Sequence, residues 1–309
     1  MRTAVRFGYA IATAIAFFMS RSPTAIAAEV VYPQVHVYQS GEGGIFANAY
    51  LVETEHAVVA IDSTLSNSDS KALRAMLDGL HKPLIAVLLT HGHPDHYNGV
   101  TNLLGGAHIP VIATEGVGKV IRRDDAAKQA QWQPVFKDEW PSPRTFPNTI
   151  AVDGRGHRFD GVTFTVRDLG PGESDADSIW VVSARSTKVA FIGDVVLQGV
   201  HAYLHDGHSK PWLANIERVR HLVKGATRLY PGHGDAGGPE LLDQQREYLM
   251  RYRQTVTSLA GGAANLTEAQ KDELDARMMD YLKTDRLRFL IKLSADPIAA
   301  ELAHEAQAK

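Results

Sequence analysis

A layered α/β domain is the fold class this sequence predicts, and three observations carry it. From about residue 30 onward, apolar runs of strand length alternate with stretches whose apolar residues recur at helical spacing. Several of those runs stop abruptly in loops rich in glycine, histidine and acid. With 44% apolar and 22% charged residues among 309, a sizeable core can form, and disulfides or a structural metal are not needed merely to fold.

The elements follow in order. VYPQVHVYQS (31–40) and ANAYLVETEHAVVAIDST (47–64) read as strands, with turns at residues 41–44 and near Glu55-His56. Leu73, Met76, Leu77 and Leu80 predict a helix over 68–80, and an apolar run predicts a strand over 84–89. A short helix over 100–104 and a strand in IPVIAT (109–114) come next. Residues 124–149 break the alternation with Trp132, Trp140, Pro134, Pro141, Pro143 and Pro147, and are expected to form an ordered excursion. Strands resume with VTFTVRDLG (162–170), SIWVVSA (178–184), KVAFIGDVV (188–196) and TRLYPGH (227–233). A long helix is predicted after Gly238-Pro239, with Leu241, Leu242, Tyr248, Leu249 and Tyr252 on its apolar side. Thr267 and Gln270 have the spacing of a capping box for a helix to about Tyr281, and DPIAAELAHEA (296–306) reads as a last helix. Three segments are expected: a leader over 1–28, a catalytic domain over 29–260 and a helical extension over 261–309.

The leader is expected to be a secretory signal peptide. Arg2 and Arg6 precede an apolar stretch from Phe7 to Met19, and Ala25-Ile26-Ala27 is a small-x-small site, so cleavage is expected after Ala27 or Ala28. The competing reading is a membrane anchor, for which the stretch is short. The expectation is a secreted or periplasmic protein with no membrane association after cleavage. A net charge of −3 without long runs of one sign argues against a nucleic-acid partner. There is no cysteine, so thiolate nucleophiles, thiolate ligands and iron–sulfur clusters are excluded. Any metal site must be built from histidine and carboxylate.

LTHGHPDHYN (89–98) places three histidines and an aspartate within six positions at the end of an apolar run. In open α/β sheets, functional groups collect beyond the carboxyl ends of strands. By that rule one strand delivers His91, His93, Asp95 and His96, a second delivers Glu173, a third Asp194 and a fourth His233. A lone histidine in a loop is usually solvated, and an Asp-His pair often caps a helix. This density after a buried strand, met by three further strand ends, points instead to metal ligation. Imidazole and carboxylate suit zinc, with iron or manganese as other candidates. His91 and His93 can face one ion, completed by Glu173. Asp95 and His96 can face a second, closed by His233, with Asp194 as a bridge. Two such ions hold hydroxide between them at neutral pH.

Taken together, NAYLVET…VVAIDST, THGHPDH (90–96), GPGESDADSIW (170–180), FIGDVV (191–196) and YPGHG (230–234) resemble the metallo-β-lactamase-fold hydrolase superfamily over roughly residues 30–255. The resemblance implies an αββα sandwich, with a dinuclear site at one edge whose hydroxide attacks an ester-like or amide-like carbonyl. His91, His93, Asp95, His96, Asp194 and His233 carry over position by position. Glu173 departs, standing where the family usually supplies a histidine. A carboxylate there adds negative charge, weakens the first metal as a Lewis acid and favours harder ions. Asp175 or Asp177 are the alternative ligands. Asp194 stands near where lactamases of the commonest subclass carry cysteine, which lowers the odds of a dedicated β-lactamase.

The loop QGVHAYLHDGHSKPW (198–212) is expected to overhang the metals, with His201 or His208 protonating the leaving group and Asp95 orienting the hydroxide and accepting its proton. Tyr97 and Asn98 adjoin the cluster as outer-shell candidates. The C-terminal helices are expected to brace the domain, cover the cleft or make a homo-oligomer. The function expected is a two-zinc hydrolase of a small-molecule ester, lactone, thioester or amide. The alternatives are a β-lactamase proper, a mononuclear iron dioxygenase of the same fold and a non-catalytic metal-binding protein.

Overall fold

The structure, a computed structural model, describes residues 32–185 and 187–308. The expected signal peptide and its cleavage site lie outside the described residues. Among the described residues, no helix is long and apolar enough to cross a membrane.

The elements run β1 (Gln34–Gln39), β2 (Asn48–Glu53), β3 (Val58–Ile61), α1 (Asn67–Gly79), β4 (Leu84–Leu88), α2 (Pro94–Tyr97), α3 (Val100–Leu104), β5 (Val111–Thr114), α4 (Glu115–Phe136), β6 (Thr149–Ala151), β7 (Gly156–Phe159), β8 (Val162–Gly170), β9 (Asp177–Ala184), β10 (Thr187–Leu197), α5 (Ser209–Leu222), β11 (Leu229–His233), α6 (Glu240–Ala260), α7 (Glu268–Leu282), α8 (Phe289–Leu293) and α9 (Ala295–Gln307). One sheet has the order β1-β2-β3-β4-β5-β6, the other β11-β10-β9-β8-β7. β3 to β6 pair in parallel, as do β10 and β11, and the remaining neighbours are antiparallel.

The period-two pattern of the strands dictates the layers. Val59, Ile61, Ala86 and Leu88 point from the first sheet toward Phe164, Val166, Trp180 and Phe191 of the second. The opposite face of the first sheet, with Leu51, Val87 and Leu89, packs on Leu73 and Leu77 of α1 and on Val117 and Ile121 of α4. The outer face of the second sheet meets Trp212, Ile216, Leu249 and Tyr252 from α5 and α6. Each fully buried apolar side chain contributes about 1.5–3 kcal/mol of burial, so three continuous contact layers fix the αββα sandwich implied by the resemblance.

Two stretches differ from expectation. Residues 124–136 are not irregular but complete α4, with Pro134 in its last turn, where the helix is two residues from its end and little helix remains to be disrupted. The apolar side of α4 ends near Asp125, so its distal half has no periodicity to reveal it. Arg144 returns the following segment to the helix, its Nε and Nη2 donating to Asp125 at 2.8 and 2.5 Å. Similarly, residues 209–212 are the first turn of α5, where Pro211 is tolerated because N-terminal N–H groups are unpaired anyway. The capping box of Thr267 and Gln270 is formed. Leu274, Met278, Ile291 and Ile298 of the last three helices share the outer layer with Tyr252 and Val256, so the extension braces α6.

Candidate metal centre

The site forms at the carboxyl ends of β4, β8, β10 and β11. Past Leu88 the chain stays extended, and Pro94 then starts the four-residue α2. Alternation in the extended stretch turns His91 and His93 one way, and the helical turn presents Asp95 and His96 beside them. The two sheets are stitched at this edge. Ser178 N–H and Oγ donate to Thr90 O at 2.8 and 2.7 Å, and Trp180 Nε1 donates to Leu89 O at 3.0 Å. Asn48 Nδ2 donates to Pro231 O at 3.1 Å and Gly234 O at 2.7 Å, which fixes the turn carrying His233.

The predicted ligands converge into two adjoining groups. In the first, Glu173 Oε2 is 3.5 Å from His91 Nε2 and 2.9 Å from His93 Nδ1. In the second, Asp95 Oδ2 is 3.3 Å from Nε2 of both His96 and His233, and Asp194 lies 3.3 Å from the same two nitrogens. Asp194 Oδ2 also stands 3.8 Å from His91 Nε2, so it adjoins both groups. Gly193, at φ 49°, interrupts the β10 register just before Asp194. A Cβ on Gly232 would lie 1.6 Å from Asp194 Oδ1, so only glycine leaves room for that carboxylate.

All seven side chains are buried. Nε2 of His91 and of His96, both carboxylate oxygens of Glu173 and Oδ1 of Asp194 have no hydrogen-bond partner. Each such orphan costs about 1–3 kcal/mol, and five converging at one place would be a costly packing error unless cations satisfy them. Nitrogen and oxygen donors without sulfur suit zinc, iron or manganese, so the residues fit the metal pair the fold family implies.

Electrostatics divides the groups. Burial pushes Glu173 up to about 8. Burial works against a charged His93, yet the Glu173 and Asp206 carboxylates hold its pKa up at about 10. Burial, then the neighbouring His96, pushes His91 well below the ordinary range. Asp95 and Asp194 are depressed despite burial, Asp95 chiefly by His96 and Asp194 chiefly by His233. Burial opposes protonation of His233 too, but Asp194 and Asp95 lift it to about 9.

Of the acids competing for the third motif, Glu173 is the one at the ligand group. Asp177 accepts from Glu173 N–H at 2.6 Å and from Ser174 Oγ at 2.6 Å, shaping the turn that aims Glu173 inward. Asp175 instead lies 2.5 Å from His208 Nε2 and pairs with Arg123. His208 is thereby drawn to Asp175, away from the cavity-lining residues. His201 is fully buried elsewhere, with Nδ1 3.1 Å from Tyr248 Oη and Nε2 3.0 Å from Thr284 O. The structure therefore brings neither histidine expected as a proton donor to the ligand groups. Both rings are occupied by partners supplied from α6, the α7–α8 connection and the 170–177 turn. Tyr97 donates to Asp125 at 3.1 Å, and Asn98 is buried.

Three residues given no role in the sequence reading matter here. Asp62 accepts from Thr90 N–H at 2.8 Å and Thr90 Oγ1 at 2.6 Å, and lies 3.0 Å from His96 Nδ1, setting which nitrogen of His96 faces the site. It ends strand β3, so the strand-end rule could have found it. Asp206, held by Tyr203 Oη at 3.1 Å, stands 3.4 Å from His93 Nε2. Lys128 of α4 faces the cavity, and its Nζ donates to Gly92 O at 3.2 Å.

A family model for the metallo-beta-lactamase superfamily matches residues 43–233. The chain is 25% identical over 193 residues to the beta-lactamase-like protein 2 homolog of Caenorhabditis elegans, covering 60% of this chain and 55% of that protein, so it spans little more than half of that relative. It is 22% identical over 230 residues to the metallo-beta-lactamase type 2 of Bacteroides fragilis, covering 72% and 83%. Among solved structures, a metallo-beta-lactamase family protein of Thermus thermophilus superposes with a TM-score of 0.62 at 20% identity, covering 89% of this chain and 94% of that one.

Proposed function

The chain belongs to the metallo-beta-lactamase superfamily, and from that premise we propose that it is a metal-dependent hydrolase of an ester-, lactone-, thioester- or amide-type carbonyl in a small molecule. The observation that carries the reading is the convergence of orphaned imidazole and carboxylate atoms on the floor of one cleft. His91, His93 and Glu173 would hold one divalent ion and Asp95, His96, Asp194 and His233 a second, with zinc the best match to the donors. When bound, such a pair acidifies water and polarises a carbonyl.

The protein's own groups supply the rest. Asp95, kept ionised by its two imidazole neighbours, orients the attacking water and accepts its proton. Lys128 presents a positive charge toward the oxyanion that develops on the substrate. Asp206, 3.4 Å from His93 Nε2, adds negative charge beside that ring. Hydrolysis of a β-lactam is a second reading, supported by the similarity to the Bacteroides fragilis protein and weakened by aspartate at 194. We further propose export, on the leader expected over residues 1–28.

Elemental analysis of the purified protein, followed by turnover of ester, lactone, thioester, amide and β-lactam compounds, tests the proposal. Two metals per chain and activity on one carbonyl class are expected. A metal-loaded protein inert toward every class would refute the hydrolase reading.

A further inference from the structure

The cavity above the ligands, about 110 Å³, has an ionic floor and apolar walls. Ile45 forms one side, Trp132 and Phe136 of α4 another, and Leu287, Phe289 and Leu290 a third. The last three lie beyond residue 233, where the family match ends.

Two of these wall residues sit in left-handed backbone, Ile45 at φ 53° and Leu287 at φ 58°. That conformation is disfavoured for leucine and rarer still for β-branched isoleucine, and such strain gathers where a site needs it. The two turns are joined: the Arg286 guanidinium lies 4.9 Å from the ring centre of Phe46, which is itself left-handed at φ 61°. Beneath them, His201 N–H donates to Arg286 O at 3.0 Å, while its ring meets Thr284 O and Tyr248 Oη. One buried histidine thus anchors the turn that carries Leu287 over the cleft.

We infer that this wall is an acyl subsite, taking an apolar chain or ring attached to the carbonyl under attack, with His201 as its positioning residue. The inference rests on the hydrolase reading for the identity of the reacting group. A small polar acyl group would leave six apolar side chains facing water, whereas a hydrocarbon tail covers them.

Calorimetry on zinc-loaded protein, with acetate and octanoate as probes, reads the subsite without turnover. Both carboxylates can meet the metals, so only the tail distinguishes them. Octanoate is expected to bind at least tenfold tighter, since burying about two methylenes already gives that factor. Phe289→Ser, at a residue 53% exposed and therefore tolerant of change, should shrink the ratio at least threefold with metal content unchanged. His201→Gln should also shrink it, by weakening octanoate and not acetate. Equal binding of the two probes, or a ratio that survives both Phe289→Ser and Leu287→Ser, overturns the inference. Octanoate preference in a protein that hydrolyses nothing would leave the subsite standing and remove the hydrolase reading.

Discussion

The group of Asp95, His96, Asp194 and His233 and the group of His91, His93 and Glu173 are built from the same residue types but behave oppositely. In the second group, two imidazoles stand within 3.3 Å of each of two carboxylates and hold them ionised. Behind it, Asp62 is bonded both to Thr90, just past β4, and to His96 of α2. In the first, one carboxylate is buried so deeply that it is pushed up to about 8, and it is presented by a turn rather than a strand. Charge count and bracing, more than ligand identity, decide which half is preorganised for a cation. Both halves shed imidazole protons on ligation, His93 being held up at about 10 and His233 at about 9, so the second half should load first and hold tighter through its bracing and its already ionised carboxylates.

The largest effect expected is from Asp194→Asn, since Asp194 adjoins both groups. Metal content by mass spectrometry should fall by at least half, and kcat/KM by more than the roughly 10–100-fold that an outer partner costs. Retention of both metals would dissolve the comparison. Next is Glu173→Ala, which should lower stoichiometry toward one ion while leaving the tighter affinity intact in a chelator competition. Glu173→His should restore the second equivalent. Asp62→Asn should follow, weakening the tighter site by roughly 10–100-fold through loss of the acceptor behind His96, with the weaker site changed less.

The smallest effect concerns pH in the metal-free protein. The folded-state pKa of Glu173 is raised from 4.5 to about 8, so the folded form binds the extra proton. Its stabilising contribution is full below about 4.5 and is lost as pH rises through about 8. Denaturant midpoints of wild type should therefore decline across that window, and Glu173→Gln should flatten the decline. A wild-type midpoint that rises over the same window would contradict the assignment of Glu173 as a buried acid.

Much of this was legible beforehand, for physical reasons that can be named. Strands such as Leu84–Leu88 are buried on both faces and so read as unbroken apolar runs, and their ends located every residue of the two ligand groups. Helix α7 was legible from its cap. Helix α4 was not, because its apolar stripe of Val117, Val120 and Ile121 is short and Trp132 and Pro134 in its exposed distal half mimic a loop. Strands β6 and β7 are too short to show a period. His201 misled because its neighbours along the chain, Tyr203 and Asp206, do serve the cleft, whereas its own partners come from residues 248 and 284. Long-range contacts of that kind leave no local trace.

Gly232 carries one more consequence. Its backbone torsion is ordinary, so the usual explanation for an indispensable glycine does not apply; the demand comes from a carboxylate occupying the volume a methyl would fill. A library randomised over residues 230–234 and selected for activity should return only glycine at 232, where any Cβ collides with Asp194.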